Sequence, residues 1–254
     1  MLVVAHPDDA SASVGTRLAR LRDARFACVT DGPPRDGRDA ARNGLDLGSY
    51  AKLRHRELEA ALALCGIEPS QLVCLGIPDQ QASLSLAQLA HSLADLFVET
   101  GAQAVLTHAY EGGHPDHDAC AFGVHAACRL LRKRSAEAPA VVEMAGYHWG
   151  PEGLRAGAFL PARDETPDEV MVRLTPEEQV HKRALLACHA SQEQTLRQYP
   201  LDTERFRIAP HHDFLQAPHA GELYYERHPW GMNGERFRAL AAAALEELGV
   251  AAHL

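Results

Sequence analysis

Short apolar runs and helical periods alternate along the first 150 residues. Residues 2–5, 26–30, 72–75, 104–107 and 141–146 form compact, mostly apolar stretches, the pattern of strands buried on both faces. Between the first two, Val14, Leu18 and Leu21 recur at i, i+4 and i+7, one face of a helix. Between the second and third, Leu58, Ala61, Leu62 and Cys65 keep a helical period, and Gly66 marks its stop. Leu86, Leu89, Leu93, Leu96 and Phe97 give a third helix that starts near Ser85 and ends at Gly101. A fourth, over 117–133, closes in a basic turn of Arg129, Arg132, Lys133 and Arg134, which suits a helix C-terminus. This alternation predicts an α/β fold: a Rossmann-like, doubly wound, mostly parallel sheet. In the usual order 3-2-1-4-5, strands one and four are neighbours where the order reverses. Ligands of such folds bind in the crevice at the carboxyl ends of those two strands.

The pattern then loosens. Residues 31–49 form a long loop with Gly32, Pro33, Pro34, Gly37, Gly44 and Gly48, and loops of that length are usually functional or mobile. Residues 169–174 read as a strand. Thr175-Pro176-Glu177-Glu178 is a capping box with proline at the first helical position, opening a helix expected to reach Gln198. Residues 237–248 read as a closing helix that stops at Gly249. With no repeat or linker in view, the expectation is one domain, 1–254. Its core is 1–150, and 151–254 elaborates that core and forms part of the pocket wall.

Composition narrows the class. The 254 residues carry 25 Lys+Arg against 34 Asp+Glu, a net charge of −9, with 46 % hydrophobic types. That excludes a disordered or fibrous chain, and the acidic balance argues against nucleic-acid or anionic-membrane partners. No apolar run approaches the roughly 20 residues of a membrane span. Only Met1 precedes the first strand, so no secretory signal is expected. The six cysteines, at 28, 65, 74, 120, 128 and 188, include no C-x-x-C pair and read as buried reduced thiols. A cytoplasmic location is therefore expected. The 15 histidines are the unusual number.

Two histidine clusters fall where the fold places a ligand. His6-Pro7-Asp8-Asp9 follows strand one, and His114-Pro115-Asp116-His117 follows strand four past Gly112-Gly113. Each His-Pro forces an extended step, so both read as tight loops leaving a strand. Two imidazoles and a carboxylate converging there make a three-ligand metal site with an open position for water. The same donors suit Fe²⁺, and residue type alone does not separate His114 from His117 as a ligand. A carboxylate left over beside such a site, Asp8, can accept a proton from attacking water. Alone, either motif is equally well a strand-end loop whose carboxylates cap the next helix. Together, at the two switch-point strands, they point to a metal site.

The pair Ala5-His6-Pro7-Asp8-Asp9 and His114-Pro115-Asp116-His117 resembles the PIG-L/LmbE-like family of zinc-dependent N-deacetylases, which act on N-acetylglucosaminyl conjugates and related amides. Gly15-Thr16-Arg17-Leu18, Thr30-Asp31-Gly32, Arg54-x-x-Glu57, Pro78-Asp79, Ser191-Gln192, Glu204-Arg205-Phe206-Arg207 and Tyr224-Tyr225-Glu226 extend the resemblance over nearly the whole chain. It implies that His6, Asp9 and His117 bind zinc, with Fe²⁺ as the other candidate. It implies that Asp8 is the general base that activates the attacking water and later returns the proton to the leaving amine. It implies that His114, held by Asp116, is the positively charged or proton-donating group that stabilises the oxyanion. Arg54 and Asp79 would contact sugar hydroxyls at the pocket rim, and Tyr110 would assist near the catalytic histidine. The implied activity is hydrolysis of an N-acetyl group from an amino-sugar conjugate. The alternatives are an amidase for a larger sugar-thiol conjugate and a catalytically weak sugar- or metal-binding relative. Ala10 supports the last, because the family usually has Glu there.

Other clusters weigh less. Pro210-His211-His212-Asp213 looks like a further metal cluster but reads better as a loop near the pocket entrance. His91, His125 and His181 lie in predicted helices, where solvated or capped histidines are commonest. An aspartyl nucleophile for phosphoryl transfer ranks low, since no glycine-rich phosphate loop follows strand one.

Overall fold

The structure, a computed structural model, describes residues 1–160 and 169–250. Its strands are β1 (Leu2–Val4), β2 (Phe26–Thr30), β3 (Leu72–Ile77), β4 (Ala104–His108), β5 (Ala140–Met144), β6 (Tyr147–Gly150), β7 (Gly153–Ala156), β8 (Glu169–Arg173) and β9 (Thr203–Ile208). Its helices are α1 (Asp9–Ser13), α2 (Arg38–Arg42), α3 (Leu47–Leu64), α4 (Leu86–Thr100), α5 (Pro115–Lys133), α6 (Pro176–Cys188), α7 (Glu193–Leu196) and α8 (Gly234–Leu248). The sheet order is β3-β2-β1-β4-β5-β9-β8, with β6 and β7 forming a separate hairpin. The first five strands are parallel, in the expected 3-2-1-4-5 order. β9 then runs antiparallel to β5, and β8 antiparallel to β9.

The buried strands sort their side chains by the two-residue period of a strand. Val3, Ala5, Ala27 and Val29 face a core completed by α4, α5 and α8. Leu2, Val4, Phe26 and Cys28 face the opposite core, completed by α1, α3 and α6. Small residues let helices approach: a Cβ on Gly123 of α5 would lie 2.9 Å from Leu89 Cγ of α4. Four of the six thiols are buried as expected; Cys74, on the edge strand β3, is exposed, and Cys188 is half-buried.

Three departures from the sequence pattern have tertiary causes. The first expected helix breaks after Ser13 into a 3-10 turn over Gly15–Arg20. Gly15 sits at φ +36°, where a Cβ would meet Glu204 Oε1 at 2.6 Å. That carboxylate accepts from Thr16 N (3.0 Å) and Thr16 Oγ1 (3.1 Å), clamping β9 onto the turn. Helix α6 stops at Cys188, short of the expected Gln198, because the next residues are captured elsewhere. His189 Nε2 meets Ser11 Oγ at 2.9 Å, and Glu57 accepts from Ser191 N and Oγ at 2.9 and 2.6 Å. Finally, Asp116 and His117 lie in the first turn of α5, inside the helix and not in a loop. His114 is extended (φ −131°, ψ 140°) as N-cap, and Pro115 occupies a first-turn position that needs no N–H.

Candidate metal centre

The loops after β1 and β4 meet at the floor of a 420 Å³ cleft, at the carboxyl ends of the adjacent central strands. Each loop is shaped locally. His6 N donates to Asp9 Oδ2 (2.7 Å), folding the carboxylate back over the strand end as α1 begins. Gly112 takes φ +70°, and a Cβ on Gly113 would lie 1.9 Å from Tyr147 O. Only glycine therefore lets the β4 loop slide under the β6 backbone.

Donor atoms of three residues converge there. His6 Nδ1 lies 3.2 Å from His117 Nε2 and 3.4 Å from Asp9 Oδ2, and His117 Nε2 lies 3.2 Å from Asp9 Oδ1. All three residues are buried. A second overlapping group, His6, Asp79, His114 and Asp116, shares His6. Burial opposes ionisation of Asp9, but the surrounding imidazoles of His117, His108 and His6 outweigh it and hold the carboxyl well below its usual range. Burial likewise opposes charge on His6. Asp9, Asp116 and Asp79 overcome that and hold its pKa well above the ordinary value. The carboxylates thus draw positive charge to this point.

The other expected residues fall into distinct positions. Asp8 lines the cleft, its Oδ1 3.1 Å from Arg54 Nη2. Arg54 is 2 % exposed, lines the cleft beside Asp8 and also donates from Nη1 to Gly32 O (2.8 Å). Asp79 is buried too, its Oδ1 3.1 Å from His6 Nε2. His114 Nδ1 accepts from Asp116 N at 3.1 Å, which leaves the proton of a neutral imidazole on Nε2. Burial, reinforced by His6 and His117, lowers the His114 pKa well below normal, so its neutral, proton-donating form is the one favoured. The Asp116 carboxylate lies against His114, Oδ2 3.9 Å from Nδ1. It accepts from Gln80 N (2.6 Å) and Ala82 N (3.0 Å), fixing the turn that carries Asp79.

Tyr110 is not at the centre. Its hydroxyl donates to Gln216 O (2.9 Å) and its ring packs on Phe214 and Phe237 within the core. Tyr110 lies past the end of β4, where the chain has left the strand, and its side chain joins the same core as Val105. The tyrosine facing the cluster is Tyr147, its ring 5.1 Å from that of His117. His108 was also missed: it stacks on His117 at 4.0 Å and 13°, with its pKa lowered to about 4, chiefly by burial. Its position at the end of β4 was the available signal. Trp230, 4.7 Å from His114 and stacked on His228 at 4.3 Å, had none.

The loop at 31–49 and the C-terminal residues complete the walls. Pro34, Asp36, Arg38, Asp39 and Arg42 line one side, and Tyr199, Tyr224, His228 and Trp230 the other. Glu57 and Tyr50 on α3 hold Ser191 and Gln192 in place; Gln192 Nε2 donates to Tyr50 Oη at 2.7 Å. His212 is not among the lining residues; it is half-buried against Glu143. Among the described residues, no helix is long and apolar enough to cross a membrane.

Comparison with protein families matches residues 1–128, half of the chain, to PIG-L, the GlcNAc-PI de-N-acetylases. The chain belongs to the PIG-L family. No curated protein matches it significantly. Among solved structures, the A40926 pseudoaglycone deacetylase aligns with a TM-score of 0.59 at 20 % identity, over 82 % of this chain and 95 % of that one. The N,N′-diacetylchitobiose deacetylase of Pyrococcus horikoshii aligns at 0.58 and 18 %, over 82 % of each chain. A 4-carboxy-2-hydroxymuconate hydratase of Pseudomonas putida aligns at 0.55 and 20 %, over 78 % of this chain and 81 % of that one. These likenesses give this PIG-L chain its fold. The hydratase among them means that the chemistry must be argued from the side chains.

Proposed function

We propose that the protein is a metal-dependent N-deacetylase that removes the acetyl group of an N-acetylglucosamine-type conjugate, releasing acetate and a free amine. The observation that carries this reading is the convergence of His6, Asp9 and His117 donors within 3.4 Å of one another, beside Asp8 and His114. Two imidazoles and one carboxylate suit zinc first and Fe²⁺ second, and the low-lying Asp9 fits a cation partner. His6, Asp9 and His117 would hold the ion. When bound there, it supplies Lewis acidity and brings the pKa of water down to about 7.

The chain's own groups divide the remaining work. Asp8, fixed by Arg54, accepts the proton of the attacking water and passes it to the departing amine nitrogen. His114 Nε2–H donates to the oxygen that gains charge as the acetyl carbonyl is attacked. Asp79 and Asp116 orient His6 through Nε2, at 3.1 and 3.5 Å. The aromatic wall of Tyr147, Tyr199, Tyr224 and Trp230 offers apolar faces to a sugar ring, and the acidic and basic groups of α2 offer partners to its hydroxyls. Two structural neighbours, the A40926 pseudoaglycone deacetylase and the N,N′-diacetylchitobiose deacetylase, support an amino-sugar substrate.

Free-amine release from a panel of N-acetyl sugars and sugar conjugates tests the proposal. Turnover is expected on at least one GlcNAc-type member, lost on chelation and restored by Zn²⁺ or Fe²⁺. Cleavage confined to a sugar-thiol amide without acetate release would make the protein an amidase. Metal bound with no turnover anywhere would reduce it to a binding module.

A further inference from the structure

A second set of metal donors lies outside the cleft. His125 on α5, Glu143 on β5 and His212 in the segment after β9 each place a ligand atom within 4.8 Å of the other two. Glu143 is fully buried and His125 is 8 % exposed. None of the three lines the principal cleft. His125 follows His117 by eight residues on the same helix, about 12 Å along its axis.

The donors are arranged around one point. His212 Nε2 lies 2.5 Å from Glu143 Oε1, and the His125 and His212 rings meet edge-on at 5.2 Å. The other carboxylate oxygen, Glu143 Oε2, accepts from Arg207 Nε at 2.6 Å, opposite it in the β5–β9 register. Such a bond behind a carboxylate orients its free oxygen, as the outer partners of metal ligands do. Among the described residues, His125 Nε2 has no hydrogen-bond partner, although it is buried. A nitrogen desolvated in this way carries a cost that the other contacts of the cluster do not relieve.

We propose that His125, Glu143 and His212 form a second metal site, for a borderline divalent ion with Zn²⁺ the best match to two imidazoles and one carboxylate. Metal–ligand bonds of about 2.0–2.2 Å set donors about 3.4 Å apart in a tetrahedral site, so the His212–Glu143 pair must open by about 0.9 Å. The ion ties the 209–216 segment to α5 and β5. Through Arg207, whose Nη2 lies 3.7 Å from Glu111 Oε1, it also braces the loop that leads to His114. This proposal does not depend on the deacetylase reading.

Metal stoichiometry decides it. His6 belongs to both donor groups of the principal cleft, so His6→Ala disables that centre and leaves the second to be read alone. Protein equilibrated with Zn²⁺, desalted and assayed by mass spectrometry should hold two equivalents in wild type. It should hold one in His6→Ala, one in His212→Gln, and none in the double variant. In the His6→Ala background, Zn²⁺ should raise Tm, and His125→Ala should abolish the rise. One equivalent in wild type that survives His212→Gln overturns the proposal. So do two equivalents that both vanish in His6→Ala. Should His212→Gln fail to fold, Co²⁺ added to His6→Ala decides: a visible d–d band supports the site and its absence refutes it.

Discussion

The two sides of the seven-stranded sheet are held together by different forces. On the parallel side, β1, β2 and β4 lie between two apolar cores, and charged groups are confined to the strand ends. On the antiparallel side, β9 carries Glu204 and Arg207 into the interior, and each is satisfied by a distant partner. Glu204 meets Thr16 and Lys182, and Arg207 meets Glu143. Apolar packing is non-directional and makes a rigid base. Buried ion pairs are directional and add little net stability, but they fix one relative placement of the elements that carry them. The first side therefore supplies the floor on which reacting groups are set. The second positions a wall, to which the segment 190–199 adds a part that hydrogen bonds from α3 hold in place. That segment is pinned by Glu57 and Tyr50 while presenting Gln192 and Tyr199 to the cleft.

Substitutions at the floor should change chemistry without disturbing the fold, and they carry the largest effects. Asp8→Ala should retain full metal content and lose about 10²- to 10⁴-fold in kcat, the usual contribution of a positioned base. His6→Ala should lose both principal-site metal and turnover. Metal analysis and kcat on the same preparations separate the two. Full activity in Asp8→Ala would remove the proposed mechanism while leaving the metal centre standing.

The wall should behave in the opposite way. Lys182 and Glu204 are 1 % and 0 % exposed at the side chain, with Nζ and Oε1 3.5 Å apart. Removing one member of a buried pair typically costs about 3–5 kcal/mol because the other charge is left uncompensated. Lys182→Met should fall near the lower figure, about 3 kcal/mol, since Thr16 still donates two hydrogen bonds to Glu204. Urea unfolding measures the loss, and kcat of the folded fraction should stay close to wild type. A variant as stable as wild type would mean that the antiparallel side is not held by this pair.

This contrast also explains what could be read from the sequence. β2 was located to the residue, and β1, β3, β4 and β5 to within one or two, because each writes an apolar run into the chain, the half-exposed edge strand β3 as well as the strands buried on both faces. β9, with the sequence Thr-Glu-Arg-Phe-Arg-Ile, writes no such run. Its inward charges make sense only beside Thr16, Lys182 and Glu143, more than twenty residues away in each case. The β6–β7 hairpin is only partly buried and pairs through Tyr147 to Ala156 without alternation. At the centre, His6, Asp8, Asp9 and His117 were legible because two short motifs carry them at strand ends. Arg54 and Asp79 were picked out by resemblance, but their roles beside Asp8 and His6 depend on tertiary contacts. His125 and His212 lie 87 positions apart, and no local spacing announces their pairing.

The seam between the two sides offers the finest comparison, through two tyrosines. Tyr110 is 5 % exposed and its hydroxyl bonds Gln216 O inside the core. Tyr147 lines the cleft beside His117, and burial keeps its phenol protonated by raising its pKa well above 10. Tyr110→Phe should cost about 1 kcal/mol in urea unfolding, the net worth of one buried hydrogen bond, and leave kcat/KM unchanged. Tyr147→Phe should leave stability nearly unchanged and lower kcat/KM about tenfold, equivalent to ~1.4 kcal/mol of transition-state binding. The ring of each stays in place, so only the hydroxyl is interrogated. If Tyr110→Phe lowered turnover and Tyr147→Phe did not, the tyrosine that serves the centre would be the one the sequence suggested. The β4 loop would then have to turn its side chain out of the core when substrate binds.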